Sequence, residues 1–173
     1  MNVLEEAKKL FQNCDELPRE AVILNPEVRD MCESNTCGQY GRNWACPPAL
    51  APLDEIKEKF DKFSNFIMLS QIYELEDSMD FEGMTEGIKD FQERLVKLNK
   101  ELKGSGTPYL ILGAGGCSLC AKCTYPEQPC RRPDDMIISL EAYGIEVIKV
   151  MKDNGLKYNN GPNTMTYMGG VLY

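Results

Sequence analysis

Apolar residues recur along the chain with two different periods. Phe81, Met84, Ile88, Phe91, Leu95, Leu98 and Leu102 follow one another at steps of three and four, which predicts one face of a long helix packed on a core. Lys103-Gly104-Ser105-Gly106 ends it, as glycine does at helix C-termini. Phe66-Ile67-Met68-Leu69-Ser70-Gln71-Ile72-Tyr73 is a dense apolar run and predicts a buried strand. Tyr109 to Leu112 predicts another strand, and Thr164 to Tyr173 a final one with a bend or bulge at Gly169-Gly170. Val3, Leu4, Ala7, Leu10 and Phe11 mark an N-terminal helix that ends near Cys14, and Leu53, Ile56, Phe60 and Phe63 a helix opened by Pro52. Pro133-Asp134-Asp135 reads as the opening of a helix that Gly144 closes, followed by a strand from Ile145 to Met151. Strand and helix alternate, which predicts an α/β fold with a mixed, partly parallel sheet flanked by helices.

The length of 173 residues fits one domain, 1–173. Within it, a Cys-rich loop at 32–48 precedes an α/β core at 53–112. A second Cys-rich loop at 113–133 precedes a C-terminal helix and strands at 134–173. The net charge is −8 and no basic run is present, so the chain is not expected to bind nucleic acid, which needs clustered Lys and Arg. The apolar runs are too short to span a bilayer, and the acidic N-terminus lacks the basic n-region of a signal peptide. A cytoplasmic location is expected, where thiols stay reduced. The pattern leaves the oligomeric state open.

Eight Cys and no His change the picture most. Mixed thiolate–imidazole zinc sites and imidazole bases are excluded, so any metal chemistry leans on thiolates. Cytosolic cysteines at this density bind metal or do redox work more often than they form a disulfide framework. Cys117-x2-Cys120-x2-Cys123, closed by Cys130 six residues on, shares the C-x2-C-x2-C core that bacterial ferredoxins wrap around a [4Fe-4S] cluster. Gly113, Gly115 and Gly116 just ahead of it let backbone N–H groups approach the sulfurs. Structural zinc is the alternative, since zinc accepts all-thiolate sets. Arg131 and Arg132 either neutralise cluster charge or pair with Asp134 and Asp135.

The other group is Cys32-x4-Cys37-x8-Cys46, followed by Pro47 and Pro48. Tyr40 and Trp44, the one Trp, are candidates for shielding a bound cluster from water. Cys14 decides the ligand count. With it the group offers four thiolates; without it, three and one open iron. Arg42 and Asn43 are candidate substrate contacts or turn residues. Glu141, Asp134 and Asp135 read as ordinary acids at a helix start, with no opposing base in view.

Tyr40-Gly41-Arg42-Asn43-Trp44-Ala45-Cys46-Pro47-Pro48 resembles the YG-x2-W-x-CPP signature of the "domain of unknown function 2284" proteins. Gly116-Cys117-x2-Cys120-x2-Cys123, Cys130-Arg131-Arg132-Pro133 and the stretch from Ser139 to Val147 resemble its second half. The resemblance runs from about Cys32 to the C-terminal strand. It implies a small Cys-rich metal-binding protein of a kind found in bacteria and archaea, many of them anaerobes, and implies no particular reaction. The signature does not account for Cys14. Together these readings lead to an iron–sulfur protein with one or two [4Fe-4S] clusters, passing electrons to a redox partner protein. Two alternatives stand beside it: an enzyme with a three-Cys cluster and an open iron, and a zinc-stabilised binding module.

Overall fold

A computed structural model of the chain describes residues 2–173. Among the described residues, five α-helices and one five-stranded sheet are present. The helices are α1 (Val3–Lys8), α2 (Pro26–Asp30), α3 (Leu53–Phe60), α4 (Phe81–Lys103) and α5 (Val147–Asp153). The strands are β1 (Asn13–Pro18), β2 (Asn65–Glu74), β3 (Leu110–Gly113), β4 (Ile138–Ser139) and β5 (Thr164–Leu172). They lie in the order β1-β2-β5-β3-β4. Only β3 and β4 run parallel; every other pair is antiparallel.

The central strand β2 is apolar on both faces because both faces are covered. Ile67 and Leu69 meet Val3, Ala7, Phe91, Leu95, Leu98 and Leu102 of α1 and α4 on one side. Phe66 and Met68 meet Ile56, Phe60, Val147, Val150 and Met151 of α3 and α5 on the other. From Phe91 to Leu102 the α4 stripe read from the sequence is core packing, while Phe81 at its start is exposed. Asp80 caps that helix, its Oδ1 accepting from the Gly83 N–H at 2.8 Å. No helix among the described residues is long and apolar enough to cross a membrane.

Four local expectations are corrected. Residues 133–144 form turns around the short β4 rather than a helix. The Asp135 carboxylate is drawn to Lys103 and Arg132, and Ile138–Ser139 pairs with Leu112–Gly113. Ile145 to Met151 is largely the helix α5, not a strand: Val147, Val150 and Met151 are the buried positions, at helical spacing, while Ile148 stays 56% exposed. The β-branched run suggested a strand, and packing on α3 overrode that propensity. Gly169 and Gly170 form no bulge; they pair in register with Leu69 and Met68. The fourth correction is β1, which no apolar pattern announced. Its sequence, Asn-Cys-Asp-Glu-Leu-Pro, is poor in strand formers and sits at the sheet edge. Cys14 thus lies in a strand opposite Leu69, not at a helix end.

The paired glycines are set by crowding. A Cβ on Gly169 would stand 2.6 Å from the Leu112 carbonyl oxygen, and one on Gly170 would collide with the Phe66 ring. Gly169→Ala is expected to destabilise the protein by about 1–3 kcal/mol through overpacking. The check is a lowered denaturant midpoint with an unchanged m-value.

Candidate metal centre

The first Cys group is carried by a segment built from turns, each tied to the next. Asn25 caps α2, its Oδ1 accepting from the Glu27 N–H at 3.0 Å. Beyond α2, Asn35 N–H donates to the Cys32 carbonyl, Gly38 N–H to Asn35, and Gly41 N–H to Pro47. Asn43 is buried with both ends of its amide engaged: Nδ2 donates to Gln39 Oε1 at 3.2 Å and Oδ1 accepts from Ala45 N–H at 3.0 Å. It is a turn residue, as the blander of its two sequence readings has it.

This segment is docked on the sheet edge that carries the second group. Asn25 N–H donates to the Gly144 carbonyl at 2.7 Å, and Leu24 bridges Ile145. Arg29 clamps the same junction, Nε donating to the Ala142 carbonyl and Nη1 to that of Ala51. Its remaining nitrogen, Nη2, is buried without a hydrogen-bond partner, and the guanidinium lies within electrostatic reach of Cys32. The second Cys loop leaves β3 through Gly113. Gln92 of α4 holds it there, Nε2 donating to the carbonyls of Ala114 and Gly116 at 2.9 and 3.0 Å.

The thiols line two neighbouring cavities. Cys117, Cys120, Cys123 and Cys130 surround one of about 200 Å3, together with Trp44, Arg42, Arg131 and Arg132. Cys32, Cys37 and Cys46 surround the other, of about 330 Å3, together with Tyr40, Gly115, Gly116, Ser139 and Glu141. Gln39 lines both. The Gln39 side chain lies against Gly116, where a Cβ would stand 2.5 Å from its Oε1. The loops interlock further. Trp44 of the first loop donates its indole N–H to the Gln128 carbonyl at 3.1 Å and packs edge-on against Tyr125, centroids 4.9 Å apart.

Trp44 lines the four-Cys cavity, and Tyr40, Gly115 and Gly116 line the three-Cys one. Gly113 and Gly116 also line a small cleft with Cys117. Arg132 follows the ion-pair reading, its side chain pairing with Asp135, and its backbone N–H donates to Cys130 Sγ at 3.4 Å. Gln39, Ser139 and Glu141 were not singled out by sequence reasoning as cavity residues. The signal for Ser139 and Glu141 was their place inside the Ser139–Val147 resemblance; Gln39 carried none.

Cys14 is not brought to either cavity. It is half-buried in β1 against the α1–α4 core, three strand spacings of about 4.8 Å from β3. Burial, reinforced by the Asp15 charge and opposed by Lys8, pushes its thiol up to about 11.

All eight thiols are free of disulfides. Burial raises Cys32, Cys46 and Cys117 above the ordinary thiol range. For Cys46, 7% exposed, the Asn43 hydrogen bond opposes this, while the charges of Cys37, Cys32 and Cys117 add to it. Among the described residues no three Cys, Asp or Glu side chains stand close enough to clamp a single ion. Seven thiols line the two cavities, and with a backbone N–H directed at Cys130 Sγ they are a donor set of the type that suits a thiolate-held metal group.

The chain is a small α/β protein with two thiol-lined cavities. The chain matches the family model described as "Predicted metal-binding protein (DUF2284)" over residues 15–173 and belongs to that family. No curated protein and no solved structure matches it.

The raised Cys14 thiol gives a direct test. The folded chain keeps its proton above the ordinary thiol value of 9.0. Any stability from that proton is full below pH 9 and lost as pH rises through about 11. Iodoacetamide labelling of Cys14, followed by peptide mass spectrometry, is expected to keep accelerating between pH 9 and about 11. An exposed thiol would level off near 9.

Proposed function

We propose that this is a cytoplasmic iron–sulfur protein that passes single electrons to a redox partner protein. Cys117, Cys120, Cys123 and Cys130 would hold one [4Fe-4S] cluster, and Cys32, Cys37 and Cys46 a second. The observation that carries this reading is the pairing of two thiol-lined cavities that share Gln39 as a wall. Two centres so placed are close enough to exchange electrons through a few atoms of protein. The ferredoxin-like C-x2-C-x2-C spacing supports iron over zinc in the four-Cys cavity. Backbone N–H groups on Cys130 Sγ, and on Cys117 from Leu119, are of the kind that stabilise a reduced, more negative cluster. Each cluster would take up one electron from a donor and give one to the partner, with no covalent change in the protein.

Anaerobic purification or reconstitution is expected to give a brown protein with about eight irons and eight sulfides per chain, as two four-iron clusters require. Cys120→Ser is expected to lower both counts to about half and leave the Cys32 group loaded. A colourless, iron-free protein carrying zinc would overturn the proposal. Lowering the pH should weaken metal loading, because the raised thiols of Cys32, Cys46 and Cys117 must each give up a proton to bind. Metal content after dialysis across the range from pH 8 to pH 6, about two units, checks this.

A further inference from the structure

The three-Cys cavity supports an inference that rests on the iron–sulfur reading and deepens it. A four-iron cubane asks for four ligands, and this cavity supplies three thiols. Cys14 cannot complete the set from β1, since the sheet separates them. The four thiols of the second group surround their own cavity. Glu141 brings the one carboxylate that lines the three-Cys cavity, within electrostatic reach of Cys32. It enters no ion pair among the described residues.

The backbone around Glu141 is held firmly. Ala142 N–H donates to Ser139 Oγ at 3.1 Å, Tyr143 N–H to the Ser139 carbonyl at 3.1 Å, and Gly144 N–H to that of Glu141 at 2.8 Å. Arg29 fixes the Ala142 carbonyl from the other side. The carboxylate lines the cavity and accepts a hydrogen bond from the Ser139 side chain, while burial raises its proton affinity.

We infer that the cluster at Cys32, Cys37 and Cys46 has one iron that no cysteine holds, that this iron faces Glu141, and that a small oxygen-donor molecule binds there. An iron free of thiolate is a Lewis acid that polarises a bound hydroxyl, carbonyl or carboxylate oxygen. Glu141, itself hydrogen-bonded by Ser139, would contact that molecule from the cavity wall, with Gln39 beside it.

The test uses the full chain loaded with both clusters under anaerobic conditions. Mild ferricyanide takes one electron from an oxidised four-iron cluster, and a cluster with a thiolate-free iron then releases that iron as Fe(II), leaving a three-iron cluster. The wild type and Cys14→Ser are each expected to release about one iron per chain and to show the three-iron EPR signal. Glu141→Cys, which offers the missing thiolate, is expected to retain the iron and lose most of that signal. Should Glu141→Cys fail to load, Glu141→Gln serves instead, and is expected to keep the three-iron signal. Oxygen-isotope-labelled water is expected to broaden the EPR of the reduced wild-type cluster and to leave Glu141→Cys unbroadened. A fully loaded wild type that gives no three-iron signal, or a Cys14→Ser variant that loses one whole cluster, would overturn the inference and leave the iron–sulfur reading standing. A protein that takes up no iron would overturn both.

Discussion

The contact between residues 24–25 and 144–145 decides where the two cysteine groups of this protein meet. The first Cys group rides on a segment with only five residues of α-helix, α2, and a succession of turns. Such a segment has little core of its own and takes its position from what it docks against. The Asn25–Gly144 hydrogen bond, the Leu24–Ile145 bridge and the Arg29 clamp fix it beside the strand β4. That strand pairs with β3, from whose end the second Cys loop departs. One docking contact thus brings thiols from both halves of the chain to one sheet edge.

Gathering seven thiols there runs against electrostatics. The chain is already acidic at −8, and the thiols raise one another on top of their burial. The fold places Arg29 at the Cys32 side and Arg42, Arg131 and Arg132 around the four-thiol cavity, so positive charge sits where thiolates would form. Arg29 keeps one nitrogen buried without a hydrogen-bond partner, and a guanidinium N–H left unsatisfied costs about 1–3 kcal/mol or more.

How far the sequence could be read followed from how local each cause was. The α4 stripe and the β2 run were legible because each is an extended surface buried on its own period, and nothing outside the element could reverse it. The helix α5 and the turn 139–144 were not, because short segments take the conformation their neighbours need. Val147, Val150 and Met151 reach the α3 core only as a helix, and Ile138–Ser139 is a strand only because β3 offers it a partner. β1 escaped notice for a similar reason, since an edge strand gains its hydrogen bonds from β2 and asks little of its own side chains.

The sequence by itself determined the donors: eight thiols, no imidazole, two groups, and a spacing that matches cluster-binding loops. Ligand chemistry is a property of residue type and local spacing, so it survives without a fold. Only the tertiary structure decided which thiols share a cavity, that Cys14 stands apart in β1, that Trp44 lines the four-Cys cavity, and that Glu141 lines the cavity of the three cysteines. Those facts depend on the order of strands across the sheet, where residues 84 to 121 positions apart become neighbours through hydrogen bonds that no local pattern records.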